Sequence, residues 1–140
     1  MKLLSTHGLL MIFFLVIIGC ENKEKKQEEK LQKEVLEVHD ELMPRMQDIE
    51  QLKRELEKRK ETLDSLADEQ VALFNELINQ LSQSGESMMD WMRNYSREYK
   101  DMKHDEIMDY LDDQKQKVEE AKEKINRAIE AAESELKEYD

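Results

Sequence analysis

The chain has 140 residues, a formal net charge of −12 and 40% charged residues, against 39% hydrophobic and 6% aromatic. Such an acidic body is repelled by nucleic acid and by anionic lipid head groups, which sets nucleic-acid binding aside. A single cysteine, Cys20, leaves no partner for an intrachain disulfide, so the fold must be held by packing alone.

Lys2 and an apolar run from Leu9 to Ile18 form the basic and hydrophobic regions of a secretion signal. The run is about half of the roughly 20 residues a helix needs to cross a bilayer, so it reads as a removed signal rather than a permanent anchor. Its end, Ile17-Ile18-Gly19-Cys20, resembles the lipobox of bacterial lipoproteins, where branched apolar residues and one small residue precede the cysteine that receives lipid. The resemblance implies a signal peptide over 1–19, cleavage between Gly19 and Cys20, and a lipidated Cys20 as the mature N-terminus. Acyl chains such as palmitate would then hold the protein to a membrane, and more than one chain is needed for stable attachment. The competing reading is a structural cysteine buried in a short apolar helix. Loss of Lys2 takes the formal charge to about −13. Glu21 to Lys30 contains no apolar residue, so residues 20–30 are expected to fray as a solvated tether.

From Leu31 the apolar residues recur at alternating steps of three and four: Leu31, Val35, Val38, Leu42, Ile49, Leu52, Leu56, Leu63 and Leu66. Arg45 and Arg59 take two of the expected seam positions. This is the stripe of a heptad-like helix. A second register runs through Val71, Phe74, Ile78, Leu81, Gly85, Met88, Met92, Tyr95, Tyr99 and Met102, with Leu77 and Trp91 on its flank. A third follows Ile107, Leu111, Gln114, Val118, Ala121, Ile125, Ala128, Ala132 and Leu136. Between the stripes, pairs such as Glu50/Arg54 and Glu120/Lys124 have the order that supports a solvated helical face. No segment alternates with period two. The body over 31–140 is therefore expected to be all-α, with helices at about 31–61, 65–101 and 105–138.

The breaks between stripes set the expected topology. A turn near Glu61 to Ser65 would let Ser65 cap the second helix ahead of Asp68 and Glu69, and His104 or Asp105 would cap the third. Short connections favour an antiparallel up-down-up three-helix bundle with coiled-coil-like packing. The rival keeps one junction helical and completes the stripe with a second copy, a homo-oligomer. Pro44 lies inside the first stripe, where it removes a backbone hydrogen bond and clashes with the preceding turn, costing about 3 kcal/mol unless the helix kinks. Gly85 lies on the second seam and costs about 1 kcal/mol against Ala. Folding one helix back on the other sets Pro44 opposite Gly85. It also brings His39, Met43 and Met46 level with Met88, Met89, Trp91 and Met92.

The segments His39-Asp40-Glu41-Leu42-Met43-Pro44-Arg45-Met46 and Met88-Met89-Asp90-Trp91-Met92 resemble those of a group of small Bacteroidota lipoproteins labelled "viral A-type inclusion protein". That label reflects coiled-coil composition rather than an activity. The resemblance covers most of the mature chain. It implies a secreted helical lipoprotein and carries no substrate, cofactor or catalytic residue with it.

Thioethers suit Cu(I) and imidazole suits copper or zinc, so His39, Met43, Met46, Met88 and Met92 are the candidate metal ligands. His39 and Met43 are spaced i,i+4, as are Met88 and Met92. The plainer reading is that methionine fills irregular gaps around a kink and packs on Trp91. His39 flanks the seam, which suits a half-exposed ring bonded to Asp40 or Glu41.

No Gly-rich phosphate loop, nucleophile elbow or paired-histidine zinc motif occurs, and His39 and His104 alone remain after signal removal. The expected role is non-enzymatic: a lipid-anchored helical interaction or structural module of the cell envelope, without a cofactor. The outer membrane of a diderm bacterium is its expected place, with the periplasmic or surface face open. A partner protein would meet apolar residues off the seam, among them Leu36, Leu73, Met89, Met108 and Tyr110. The alternative is a copper(I)-binding protein using the Met/His layer.

Overall fold

A stripe that repeats every seven residues can bury itself only against other helices, and it does so here three times over. The computed structural model describes the backbone of residues 6–62, 67–99 and 101–138, with side chains from residue 23 onward. Three helices account for nearly all of it: α1 (Thr6–Thr62), α2 (Asp68–Asn94) and α3 (His104–Lys137). No strand occurs among the described residues. Gly19 and Cys20, the proposed cleavage and lipidation positions, lie outside the residues whose side chains are described, as do Leu63, Ser65 and Leu66.

Each helix touches the other two. The direction of each pair follows from which residues meet. Along α1 and α3, Glu28 meets His104, Glu34 meets Lys115 and Glu41 meets Lys122, so the two helices run parallel. Between α1 and α2 the order reverses: Lys60 bonds Asn75, Met46 and Ile49 face Gly85, and the His39 ring lies near Trp91. The bundle is up-down-up.

Its core is the expected seam. Val35, Leu42, Ile49 and Leu56 of α1 are at most 1% exposed and lie seven residues apart. Phe74, Leu81 and Met88 of α2 and Leu111, Val118 and Ile125 of α3 are fully buried with them. Each such side chain contributes about 1.5–3 kcal/mol. Ile129, outside the expected third register, is also fully buried beside Ala128. Arg45 and Arg59 are half-buried on the seam, where their stems can cover apolar surface while their heads stay in water.

The structure departs from the sequence expectation in four places. Residues 23–30, expected to fray, continue α1 as helix. Leu31 is buried with Ile107 and Leu111, and Glu28 is fixed by His104. With the helix nucleated below, adding residues above costs little. Second, α2 ends at Asn94 rather than near residue 101, and Tyr95 turns extended at φ −75° and ψ 125°. The junction to α3 is thus not helical, which removes the continuous-helix rival at that point.

Third, neither described helix start uses the expected cap. Ala67 precedes α2 and Lys103 precedes α3, and in each case a side chain three residues on reaches back. The Ala67 N–H donates to Gln70 Oε1 at 3.2 Å and the Lys103 N–H to Glu106 Oε2 at 2.8 Å. This is one half of a capping box, supplied by the residue three positions after the cap rather than by the cap itself. Fourth, Pro44 lies within α1 and does not face Gly85. It is exposed, so the Asp40 carbonyl that loses its donor can turn to water. Gly85 instead faces Met46 and Ile49, about one turn further along α1.

A Cβ placed on Gly85 would sit 3.4 Å from Met46 Cε and 3.7 Å from Ile49 Cδ1, ordinary contact distances. Gly85→Ala is therefore expected to stabilise the bundle by about 0.5–1 kcal/mol through removal of the helix penalty of glycine. Met88→Ala, which empties a fully buried position, is expected to destabilise it by about 2–5 kcal/mol. Urea denaturation of both variants beside the parent checks the pair, and a destabilised Gly85→Ala would mean that the α1–α2 approach has no room for a methyl.

Candidate functional site

The last turn of α2 carries Trp91, and the chain then leaves the helix as the non-helical run Tyr95 to Tyr99. Aromatic spacing does the rest. Tyr95 stacks on Trp91 with ring centroids 4.9 Å apart and planes 23° from parallel. Tyr110, from the second turn of α3, lies 6.4 Å from Tyr95 and 5.9 Å from Tyr99. Such offset pairs are worth about 0.5–1.5 kcal/mol beyond their buried area.

Polar groups pin the ladder. The Ser96 N–H donates to the Tyr110 hydroxyl at 2.7 Å, and that hydroxyl donates to the Ser96 carbonyl at 3.2 Å. Gln32 Nε2 donates to the Tyr99 hydroxyl at 3.2 Å, tying the ladder to α1. Burial, with the neighbouring Tyr95, pushes the Tyr99 hydroxyl well above the ordinary tyrosine range, so it stays protonated. The α2–α3 junction is therefore clamped by aromatic rings where the sequence suggests continued helix.

Against this ladder, α1 contributes Leu36 and His39. Together with Trp91, Met92, Tyr95 and Arg97 they line a groove of about 280 Å³. The His39 ring lies 6.0 Å from that of Trp91, and its Nδ1 pairs with Asp40 Oδ1 at 2.9 Å. The ring is half-buried and bonded to the adjacent carboxylate, in the place the seam pattern indicates. Trp91 is 6% exposed, and its indole N–H has no acceptor among the described residues.

The five candidate metal ligands are divided among three environments. His39 and Met92 share the aromatic groove. Met43, 38% exposed, and the half-buried Met46 line a separate open groove with Gln47, Glu50, Gln51 and Arg54. Met88 is fully buried in the core. No grouping of three or more His, Cys, Asp or Glu suited to a metal occurs among the described residues. Of the apolar residues expected to meet a partner, Leu73 and Met89 are exposed, at 41% and 38%. Leu36 lies in the groove, and Met108 and Tyr110 pack on the Leu31, Ile107 and Leu111 cluster.

Sequence reasoning missed Arg97 and the ladder as a unit. Trp91, Tyr95 and Tyr99 recur at steps of four, which reads as one helix face. The available signal was the concentration of aromatics within a few residues of a helix end, in a chain that is 6% aromatic.

A second polar feature lies beyond the ladder. His104 Nδ1 and Glu28 Oε1 are 2.7 Å apart, with both side chains about four-fifths covered. The carboxylate of Glu28 raises the His104 pKa above its ordinary value, with Glu24 and Asp105 adding to it against a smaller opposing effect of burial. No family model, curated protein or solved structure matches the chain.

A raised histidine pKa means that the folded state binds the proton more tightly than the unfolded one. The pair's contribution to stability is then fully present below about pH 6.5 and is lost as pH rises through the higher folded value. Hydrogen exchange at the amides of residues 23–30 is expected to show more protection at pH 6 than at pH 9 after correction for intrinsic rates. Glu28→Gln is expected to remove that difference. An unchanged pH dependence in the variant would show that the pair does not hold this segment.

Proposed function

We propose that the chain is a lipid-anchored, non-enzymatic interaction module of a bacterial cell envelope, held through acyl chains on Cys20. The single observation that carries this reading is the approach to Cys20: the basic start, the Leu9 to Ile18 run, and Gly19 immediately before the cysteine. Among the described residues no helix is long and apolar enough to cross a membrane, and acyl chains would supply attachment without one.

The parallel course of α1 and α3 gives the module a polarity. Residues 23–30, the start of α3 and the aromatic ladder share the end nearer Cys20, while the C-terminal end of α3 points away. At about 1.5 Å per helical residue, Lys23 and His39 are separated by roughly 24 Å along α1. An anchored protein of this build would hold its groove at a set distance from the bilayer surface. With a charge of about −13 once Lys2 is removed, the body would also be repelled from anionic head groups, which favours a partner away from the bilayer.

A copper(I) role is the second reading. It draws on one observation, that His39 and Met92 line the same groove. Competition titration with Cu(I) tests it: a stoichiometric site lost in His39→Ala and in Met92→Ala supports it, and binding no tighter than that of an unfolded methionine-containing peptide sinks it.

The anchoring itself is tested by metabolic labelling with a palmitate analogue in a diderm bacterial host. The parent chain is expected to take up label and fractionate with membranes. Cys20→Ala is expected to lose the label and remain in its uncleaved form. Label retained in Cys20→Ala would overturn the assignment.

A further inference from the structure

The groove at the end of α2 combines two kinds of wall. One is apolar and flat: the stacked Trp91 and Tyr95 rings with Leu36 and Met92. The other is cationic. Arg97 lines the groove, is exposed, and makes no ion pair among the described residues, although the chain carries 34 acidic residues against 22 basic ones. An arginine left unpaired amid such an excess of carboxylates is a cation available to an anion from elsewhere. Its planar fork matches the two oxygens of a carboxylate.

The volume limits the occupant. About 280 Å³ lies just under the range of about 300–1,000 Å³ typical of small-molecule sites, and suits one large side chain with the atoms next to it. We propose that this groove binds the carboxyl-terminal residue of a partner polypeptide, seating a large apolar or aromatic side chain on the Trp91–Tyr95 stack and its terminal carboxylate on Arg97. The proposal deepens the interaction-module reading and rests on it, which is why a chain end rather than a free small acid is the occupant.

Trp91 is the only tryptophan of the chain, so its fluorescence carries no signal from another tryptophan, and Arg97→Gln ties a change to this groove rather than to the second one that the ring borders with Asp90, Asn94 and Lys117. The full-length protein in detergent micelles would be titrated with an acetylated tetrapeptide ending in a free phenylalanine carboxylate, with the same peptide as its C-terminal amide, and with N-acetylphenylalanine. The free-acid peptide is expected to give a saturable change. The amide is expected to bind roughly tenfold more weakly or worse, and Arg97→Gln to weaken the acid by a similar factor while leaving the amide unchanged. Arg97→Lys, which keeps the charge but not the fork, is expected to fall between.

Equal binding of acid and amide, or no effect of Arg97→Gln, would overturn the carboxylate assignment. N-acetylphenylalanine binding as tightly as the peptide would overturn the polypeptide occupant in favour of a small acid. Absence of any saturable change would overturn the site. Failure here is separable from failure of anchoring, because palmitate labelling reads Cys20 without reference to the groove.

Discussion

Everything in this molecule depends on a seam of apolar residues spaced seven apart along α1. Val35, Leu42, Ile49 and Leu56 are closed to solvent, and no disulfide within the chain can assist them. A helix with so regular a stripe has one low-energy option, which is to lie along other helices with matching stripes. α3 supplies the parallel neighbour and α2 the antiparallel one. The direction of each then decides where the non-repeating residues fall. The aromatic ladder and the Glu28–His104 contact lie at one end because the first turn of α3 packs at the level of Glu28 on α1. Electrostatics follows the packing. Glu34 with Lys115 and Glu41 with Lys122 share an 81-residue separation, so one register aligns the core and the two ion pairs together.

Most of the architecture was legible in the sequence for this reason. Heptad periodicity is a strong signal, and the buried positions of α1 from Leu31 to Leu56 are the expected ones. What the pattern could not convey is where periodicity continues after the helix stops. Trp91, Tyr95 and Tyr99 keep the helical step, but the rings find better partners across the junction, in one another and in Tyr110, than along a helix face. The tether was misread in the opposite sense. Residues 23–30 have nothing apolar to bury, yet a single cross-helix contact and the helix below them suffice.

The methionine layer shows the same limit at the scale of a site. Reflection of α1 onto α2 gives the level of each residue to within about one turn, as the contact of Gly85 with Met46 and Ile49 shows. Level alone does not bring side chains together. Met43 and Met88 share a level but face solvent and core respectively, because helical rotation separates them. Arg97, by contrast, gave no sequence signal, since one arginine among 22 basic residues looks like surface charge. Its position beside stacked rings is a property of the junction and not of any motif.

The unbroken passage of α1 from residue 23 into the bundle has a consequence for direction. A flexible leash transmits neither angle nor twist, whereas a helix transmits both. For a chain held at its N-terminal end, each residue added to or removed from this stem would rotate the bundle by roughly 100° about the α1 axis as well as shift it by about 1.5 Å. The polar residues before Leu31 would then act as an angular coordinate, setting the compass bearing of the aromatic groove around the stem.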